Sequence, residues 1–192
     1  MNWVSLITDF GLSDPYLAQL KASVWSKQPE VRFIDISHDI KPHDIVSAGW
    51  ILKNTFKDCP SGTIHFVSVL NNYNNNSSYI LFRHEGHYFI GPNNGVFSLA
   101  FEKLPQDIYE IKSEPFDAHS LKSILVKIID HISNQRSLEE LGEQVKNLIM
   151  RIQLQPVINK FMIRGSVIYI DHFENVIINI TKDQFEKARA GR

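Results

Sequence analysis

Short apolar runs alternate with helix-like segments through the first 60 residues, and this alternation most constrains the fold. Residues 4–7 form the first apolar run, residues 16–25 carry apolar side chains at helical spacing, and residues 31–36 form a second run. Short apolar runs bounded by polar or glycine residues are typical of buried strands. A strand–helix–strand order predicts a parallel βαβ unit with a right-handed crossover.

The same alternation continues further along the chain. Asp44 is predicted to cap a helix that ends at Pro60-Ser61-Gly62, and Ser13 or Asp14 to cap the helix before it. Glu85-Gly86 is typical of a hairpin turn between two strands. The remaining predicted elements are a strand at 63–70, a hairpin of 79–83 with 87–90, a helix at 124–132 and a helix opened by a capping box at 137–140.

After Pro156 the sequence becomes strand-like, at 161–170 and 176–180, and it ends in a charged stretch at 182–192 that is typical of a short helix. We therefore predict two domains. Residues 1–158 form an α/β domain, with a mostly parallel sheet flanked by helices, and residues 159–192 begin a smaller β-rich domain. Because a lone hairpin is only marginally stable, we expect this second domain to be truncated.

Composition excludes several classes of protein. The 20 Lys and Arg residues are balanced by 21 Asp and Glu, so the basic excess that is typical of nucleic-acid binding is missing. The single cysteine, Cys59, excludes an intramolecular disulfide. Neither a basic leader followed by an apolar stretch nor an apolar run of about 18 residues occurs, so we expect a cytoplasmic protein that does not enter membranes.

Polar side chains follow three of the predicted strands. They are Asp9, the segment Ser37-His38-Asp39, and the asparagine-rich loop at 71–78. The carboxyl ends of parallel strands meet at one edge of a sheet, where ligands bind in open α/β folds. A carboxylate such as Asp9 accepts hydrogen bonds from two neighbouring sugar hydroxyls, but Asp is equally typical of a turn or a helix cap. Both interpretations of Asp9 stay open.

Two further sets of residues carry possible chemistry. His38 and Asp39, joined by His43, Asp44 or Asp9, are residue types that bind zinc, manganese or iron, although the spacing matches no zinc motif. A metal-dependent hydrolase is therefore one alternative. His119, which precedes Ser120 and Lys122, is a candidate acid or base, and its alternative role is structural.

Four blocks of sequence, in order along nearly the whole chain, resemble the S-adenosylmethionine (SAM) hydroxide adenosyltransferase family, which includes the SAM-dependent chlorinase and fluorinase relatives. The opening block is Thr8-Asp9-Phe10-Gly11, followed by Asp14-Pro15-Tyr16. The others are Asp35-Ile36-Ser37-His38-Asp39-Ile40 with Pro42 and Asp44, the run from Gly86 to Gly95, and the run from Gly165 to Asn175 that extends to Asn179 and Ile180.

The resemblance implies a chemistry. Members attack the ribose C5′ of SAM with a halide or with hydroxide and release methionine. The hydroxide reaction gives adenosine, and the neutral sulfur leaving group makes alignment the main task of the enzyme. SAM is then the substrate, and no cofactor or metal is expected. The family also implies a homotrimer, with SAM between the first domain of one subunit and the second domain of its neighbour, and no nucleic-acid or membrane partner.

The resemblance also assigns residues. Asp9 is expected to hold the ribose hydroxyls and to take part in catalysis, with His119 as the second catalytic candidate. Asn74 and Ser77 are the candidate substrate contacts in the polar loop. In the second domain, the residues expected to meet methionine and adenine are Asp171, Phe173, Asn175 and Asn179.

The chain departs from the family pattern at two places. Hydroxide-using members have Asp-Pro-Gly-Val-Gly-Thr followed by Arg where this chain has residues 70–77, and Phe-His-Gly-Arg-Asp where it has residues 119–123. The water-orienting Arg is missing, and His119 is the candidate replacement for a displaced His. A catalytically silent protein that binds SAM or adenosine on the same fold is therefore the second alternative.

Overall fold

A computed structural model of the chain describes residues 2–71, 78–111, 118–152, 154–159 and 161–190. The side chains of residues 118–120 and 190 are not among those described. Asn74 and Ser77, two of the predicted substrate contacts, lie outside the described residues. The chain divides into two compact units between Met150 and Arg151.

The first unit contains a seven-stranded sheet. The strands are β1 (Trp3–Thr8), β2 (Arg32–Ser37), β3 (Ile64–Ser68), β4 (Tyr79–His84), β5 (His87–Pro92), β6 (Ile108–Ile111) and β7 (Glu143–Gln144). Their order across the sheet is β2-β1-β3-β5-β4-β6-β7. Strands β2, β1, β3 and β5 pair in parallel, and the remaining neighbours pair antiparallel, so five of the seven strands point the same way. The predicted mostly parallel sheet and the hairpin at Glu85-Gly86 are confirmed.

Helices cover both faces of this sheet. The helices are α1 (Tyr16–Trp25), α2 (Ile45–Thr55), α3 (Val96–Ala100) and α4 (Ala118–Ser133). Apolar residues of α1 and α4 pack in one buried cluster with alternate residues of β1 and β3, including Val4 and Phe66. On the opposite face Phe56, which follows α2, packs edge-on against His65 and Phe89. The alternation of side chains along each strand thus supplies a core on both faces.

The predicted Asp44 cap of α2 is confirmed, and the predicted Ser13 or Asp14 cap of α1 is wrong. Asp44 caps α2, since its carboxylate accepts the Ser47 backbone N–H at 3.0 Å. Neither Ser13 nor Asp14 caps α1, because the Pro15 carbonyl already accepts the Gln19 N–H and the helix begins after Pro15.

The capping box predicted at residues 137–140 does not open an α-helix. The segment forms a single 3₁₀ turn, Leu138–Glu140, without a side-chain cap. The chain then returns to the sheet, where β7 pairs with β6 through Tyr109 and Gln144. The sheet edge, with its unpaired backbone groups, therefore outweighs the local helix signal.

The second unit contains two small antiparallel hairpins and a helix. These are β8 (Val157–Ile158) with β9 (Ile163–Arg164), β10 (Val167–Ile170) with β11 (Val176–Ile178), and α5 (Lys182–Ala190). The predicted final helix is confirmed, whereas the predicted strand at 161–170 is divided into two. No described residue of this unit is buried. Across the described residues of both units, none of the helices combines the length and the apolar character needed to cross a bilayer.

Candidate functional site

A cleft of about 580 Å³ opens at the carboxyl edge of the sheet. The segments that follow β1, β2 and β3 meet there, as the parallel order requires, and helices α1 and α4 supply the other walls. The lining residues are Asp9, Phe10, Asp14, Tyr16, Gln19, Leu20, Pro42, His43, Asn71, Leu121 and Lys122.

Asp9 lies directly after β1, at the base of the segment that lines the cleft. Its Oδ2 atom accepts the backbone N–H of His43 at 3.3 Å and that of Leu70 at 3.1 Å. Its own N–H donates to the Ser68 carbonyl at 3.3 Å. Within the part of the chain that the structure describes, no hydrogen bond reaches Oδ1. Oδ2 therefore joins the segments of Asp9, His43 and Leu70, whereas none of the described residues engages Oδ1.

The two residues that donate to Asp9 both have a left-handed backbone. The φ angle is 71° at His43 and 55° at Leu70. Non-glycine residues adopt this region at a cost of roughly 1–2 kcal/mol. Such conformations persist only where the surroundings impose them, and they concentrate at functional sites. The two donors to Asp9 are thus held in place by their surroundings.

His38 does not form the metal site that was one of the predicted alternatives. Its Nδ1 lies 2.9 Å from Thr8 Oγ1, and its Nε2 lies 3.0 Å from Asp35 Oδ1. Both ring nitrogens are thus already hydrogen-bonded within the protein. Among the described residues, no group of three or more His, Cys, Asp or Glu side chains could hold a metal ion. The arrangement therefore gives the metal-dependent hydrolase no support.

Asp35, in β2, forms an ion pair with Lys21 of α1. Lys21 donates to its Oδ2 at 2.5 Å. Partial burial raises the pKa of Asp35, but hydrogen bonds from Lys21 and His38 outweigh it, so the pKa lies below its usual value. The carboxylate is therefore ionised at neutral pH and acts only as an acceptor.

Asn71 belongs to a network on the β3 side of the cleft. Its side-chain amide donates to Ser68 Oγ at 2.7 Å, and its oxygen accepts the Tyr79 hydroxyl at 2.7 Å. Ser68 and Tyr79 are fully buried. This network fixes the first residue of the polar loop, while the predicted contacts further along that loop lie outside the described residues.

Helix α4 forms the far wall through Leu121 and Lys122. The Lys122 ammonium donates to Gln19 Oε1 at 3.2 Å and so links α4 to α1 across the cleft. His119 belongs to the first turn of α4, but its side chain is not among those described. Its predicted catalytic role stays a prediction.

Three of the four predicted residues of the second unit, Asp171, Phe173 and Asn175, share the turn between β10 and β11. Asp171 accepts the backbone N–H of Phe173 at 2.9 Å and that of Asn175 at 2.8 Å. The Asn175 amide also donates to Asp171 at 2.7 Å, which lowers the pKa of that carboxyl. Phe173 is 82% exposed at the tip of the turn. Asp171 and Asn175 thus shape the turn, and Phe173 is presented to solvent.

Asn179 follows β11 and holds the second unit together. Its Oδ1 accepts the Ser166 backbone N–H at 2.6 Å, and its amide donates to the Leu154 carbonyl. The same oxygen lies so close to Gly165 that a Cβ there would be 2.8 Å away. These hydrogen bonds give Asn179 a structural role, and its predicted contact with substrate stays a prediction.

Several cleft residues had not been singled out as site residues from the sequence. The sequence places Tyr16 in a predicted helix and in the first family block, gives His43 only as a possible metal ligand, and makes no prediction for Gln19. Pro42-His43 precedes a capped helix at the strand-end edge of the sheet, and this position is the signal that could have found His43. Nothing local marks Gln19.

A mostly parallel sheet with a polar cleft at its carboxyl edge defines the class as an α/β protein with a ligand-binding or catalytic site. Residues 4–142 match the family described as the SAM hydroxide adenosyltransferase N-terminal domain. The chain is 30% identical over 196 residues to the (R)-S-adenosyl-L-methionine hydrolase of Methanocaldococcus jannaschii, a match that covers 96% of this chain and 69% of that protein.

Two further similarities agree with this match. A fluorinase of Nocardia brasiliensis is 22% identical over 222 residues, covering 98% of this chain and 74% of the relative. The crystal structure of an uncharacterized conserved protein from Thermotoga maritima superimposes with a TM-score of 0.82 at 26% identity, covering 96% of this chain and 74% of that one. The chain belongs to the SAM hydroxide adenosyltransferase family, a family of enzymes, and the resemblance predicted from the four sequence blocks is confirmed.

Proposed function

We propose that this protein hydrolyses SAM to adenosine and methionine. The observation that carries the proposal is the Asp9 carboxylate, whose Oδ2 is fixed by two backbone N–H groups while its Oδ1 is unengaged by the described residues. A carboxylate held in this way is preorganised to accept hydrogen bonds from the ribose hydroxyls of the substrate. The name of the 30% identical relative, an (R)-SAM hydrolase, supports the same reaction.

The proposed reaction is a single displacement. A water oxygen forms a bond to the ribose C5′ while the C5′–S bond breaks, and the electron pair of that bond leaves with sulfur as the neutral thioether of methionine. One proton of the water must be taken up. Because the sulfonium is already an activated leaving group, the protein has mainly to align the two reactants and exclude other solvent.

His43 is the residue to which we assign this proton. Its side chain lines the cleft, and its own backbone N–H donates to Asp9. Imidazole changes its protonation state near neutral pH, which suits a general base. Asp9 is not assigned this proton, because it accepts two backbone N–H groups and, in this proposal, the ribose hydroxyls. His119, predicted from the sequence, is the competing acceptor.

The activity is tested by incubating the full chain with SAM and separating the products by chromatography. We expect adenosine and methionine in equal amounts, unaffected by a chelator and abolished by Asp9→Ala. Adenosine binding is titrated in parallel by calorimetry. Binding without turnover would favour the silent SAM- or adenosine-binding protein, and loss of turnover on chelation would favour the metal-dependent hydrolase.

A homotrimer with its sites at subunit interfaces, as the family resemblance implies, is part of the proposal. The apolar side chain of Phe173, 82% exposed, is of the kind that stacks on a base or packs against a neighbour. Sedimentation equilibrium tests the assembly. A mass of three chains that persists at micromolar protein supports it, and a monomer that turns over SAM at the same rate contradicts it.

A further inference from the structure

A line of four hydrogen-bonded side chains runs from helix α1 to the segment that carries Asp9. Lys21 donates to Asp35 Oδ2 at 2.5 Å, the other Asp35 oxygen lies 3.0 Å from His38 Nε2, and His38 Nδ1 lies 2.9 Å from Thr8 Oγ1. Thr8 is completely buried and His38 is 6% exposed. No lining position of the cleft belongs to His38, Thr8 or Asp35, so none of the three is placed to touch a ligand there.

With a neutral imidazole at His38, the chemistry of the groups fixes the direction of every hydrogen bond in this line. An ionised carboxylate only accepts, so His38 must donate its Nε2–H to Asp35. In a neutral imidazole the other nitrogen is then an acceptor, and Thr8 donates its hydroxyl proton to Nδ1. Thr8 Oγ1 in turn accepts the Phe10 backbone N–H at 3.4 Å.

His38 also holds the Asp9 segment from its other end. Its backbone carbonyl accepts the Gly11 N–H at 2.8 Å, and Gly11 has a φ angle of 68° that a side chain would disfavour. The His38 ring therefore holds Thr8, directly before Asp9, and the His38 carbonyl holds Gly11, two residues after Asp9. His38, the residue directly after β2, thus contacts the Asp9 turn at both of its ends.

We infer that His38 is a positioning residue that, through Thr8, sets the orientation of Asp9 for the ribose of the substrate. The inference rests on the proposed function for the identity of the ligand, but the positioning itself can be measured without a ligand. It assigns His38 neither contact with substrate nor a proton-transfer step. It assigns Lys21 and Asp35 the task of holding the His38 ring in one orientation and one tautomer.

Two pairs of variants separate positioning from simple packing. Thr8→Val removes the hydroxyl without changing the volume, and Thr8→Ser keeps it. His38→Gln retains a donor near the position of Nε2 and loses Nδ1, whereas His38→Asn retains a group near Nδ1 that can still pair with Thr8. Ile129→Val, a core change in α4 remote from the turn, serves as the control for general destabilisation.

Two quantities are measured on each variant of the full chain. One is the affinity for adenosine by calorimetry, and the other is the hydrogen-exchange rate of the Leu70 amide, which donates to Asp9. We expect Thr8→Val and His38→Gln to weaken adenosine binding and accelerate this exchange by about tenfold each. Thr8→Ser, His38→Asn and Ile129→Val are expected to stay within about threefold of the unmodified chain.

The outcomes decide the two proposals separately. Wild-type binding and exchange in Thr8→Val would overturn the positioning role, as would an equal effect in Ile129→Val, which would indicate general loss of stability. If the unmodified chain neither bound adenosine nor cleaved SAM, the proposed function would fail. The exchange rate of the Leu70 amide would then still show whether His38 and Thr8 hold Asp9.

Discussion

Asp9 and Leu70, 61 positions apart in the sequence, meet through a single hydrogen bond of 3.1 Å from the Leu70 N–H to Asp9 Oδ2. Leu70 reaches this contact with a φ angle of 55°, in a backbone region that leucine avoids. The carboxylate thus stabilises a strained connection at the end of β3. The same side chain that we assign to the ribose therefore also has a structural function, and substitutions must separate the two.

Asp9→Asn and Asp9→Ala make that separation. Asparagine keeps an oxygen that can accept from Leu70 and His43, but it loses the charge that would hold the ribose hydroxyls. We expect adenosine affinity to fall about tenfold in Asp9→Asn, because hydrogen bonds to charged groups are the stronger ones. The loss of stability should be small, because the amide oxygen still accepts the backbone N–H groups.

In Asp9→Ala both functions are removed, so binding is lost and the free energy of unfolding falls by about 1–3 kcal/mol. Calorimetry and urea unfolding measure the two effects. Unchanged adenosine binding and SAM turnover in Asp9→Ala would show that the ribose assignment is wrong.

His43→Asn tests the proposed proton acceptor. Asparagine tolerates the left-handed backbone that His43 adopts at a φ angle of 71°, so the hydrogen bond from its N–H to Asp9 should survive. We expect kcat to fall about 100-fold with KM nearly unchanged, since a general base contributes roughly that factor or more. His119→Asn is the paired variant. If it abolished turnover while His43→Asn did not, the assignment to His43 would be wrong.

The buried pair His65 and His87 should make the protein sensitive to acid. His65 Nε2 lies 3.2 Å from His87 Nδ1, and His65 Nδ1 lies 2.6 Å from the buried Ser5 hydroxyl. Burial, and secondarily the neighbouring His87, lower the pKa of His65 from 6.5 to about 3. Burial likewise lowers the pKa of His87, although Glu85 opposes the shift.

The sign of the effect follows from proton binding. Between pH 6.5 and about 3 the unfolded chain binds a proton at His65 that the folded chain does not, so stability is complete above pH 6.5 and falls with pH through this window. We expect about 2 kcal/mol to be lost between pH 7 and pH 5, measured by urea unfolding. His65→Asn should flatten this dependence; an equally steep profile in that variant would assign the sensitivity to other groups.

The hairpin turn between β4 and β5 offers a stabilising change. Glu85 and Gly86 both have left-handed φ angles, 45° and 81°, in a position where Asn-Gly is the favoured pair. Glu85→Asn removes an exposed ion pair with Lys57, which contributes little, and relieves the backbone. We expect Tm to rise by about 2 °C. Glu85→Gln, which loses the ion pair without that relief, should not raise Tm, and calorimetric scans compare the two.

Much of the fold could be predicted because its signals are local. The βαβ order, the Asp44 cap and the hairpin at Glu85-Gly86 each depend on residues within one element or one turn. One prediction was wrong because a distant partner competed with the local signal. At residues 137–140 the capping box forms only a 3₁₀ turn, because the chain that follows pairs with the sheet edge at β6.

The site divides in the same way. The family and the position of Asp9 at the end of β1 follow from the sequence, because the motif blocks are contiguous and strand ends converge in a parallel sheet. The sequence could not show that His38 would bond Thr8 and Asp35 rather than a metal, nor that the N–H groups of His43 and Leu70 would meet at Asp9. These contacts, apart from that of His38 with Asp35, join segments about 30 or 60 residues apart, and only folding brings such segments within hydrogen-bonding distance.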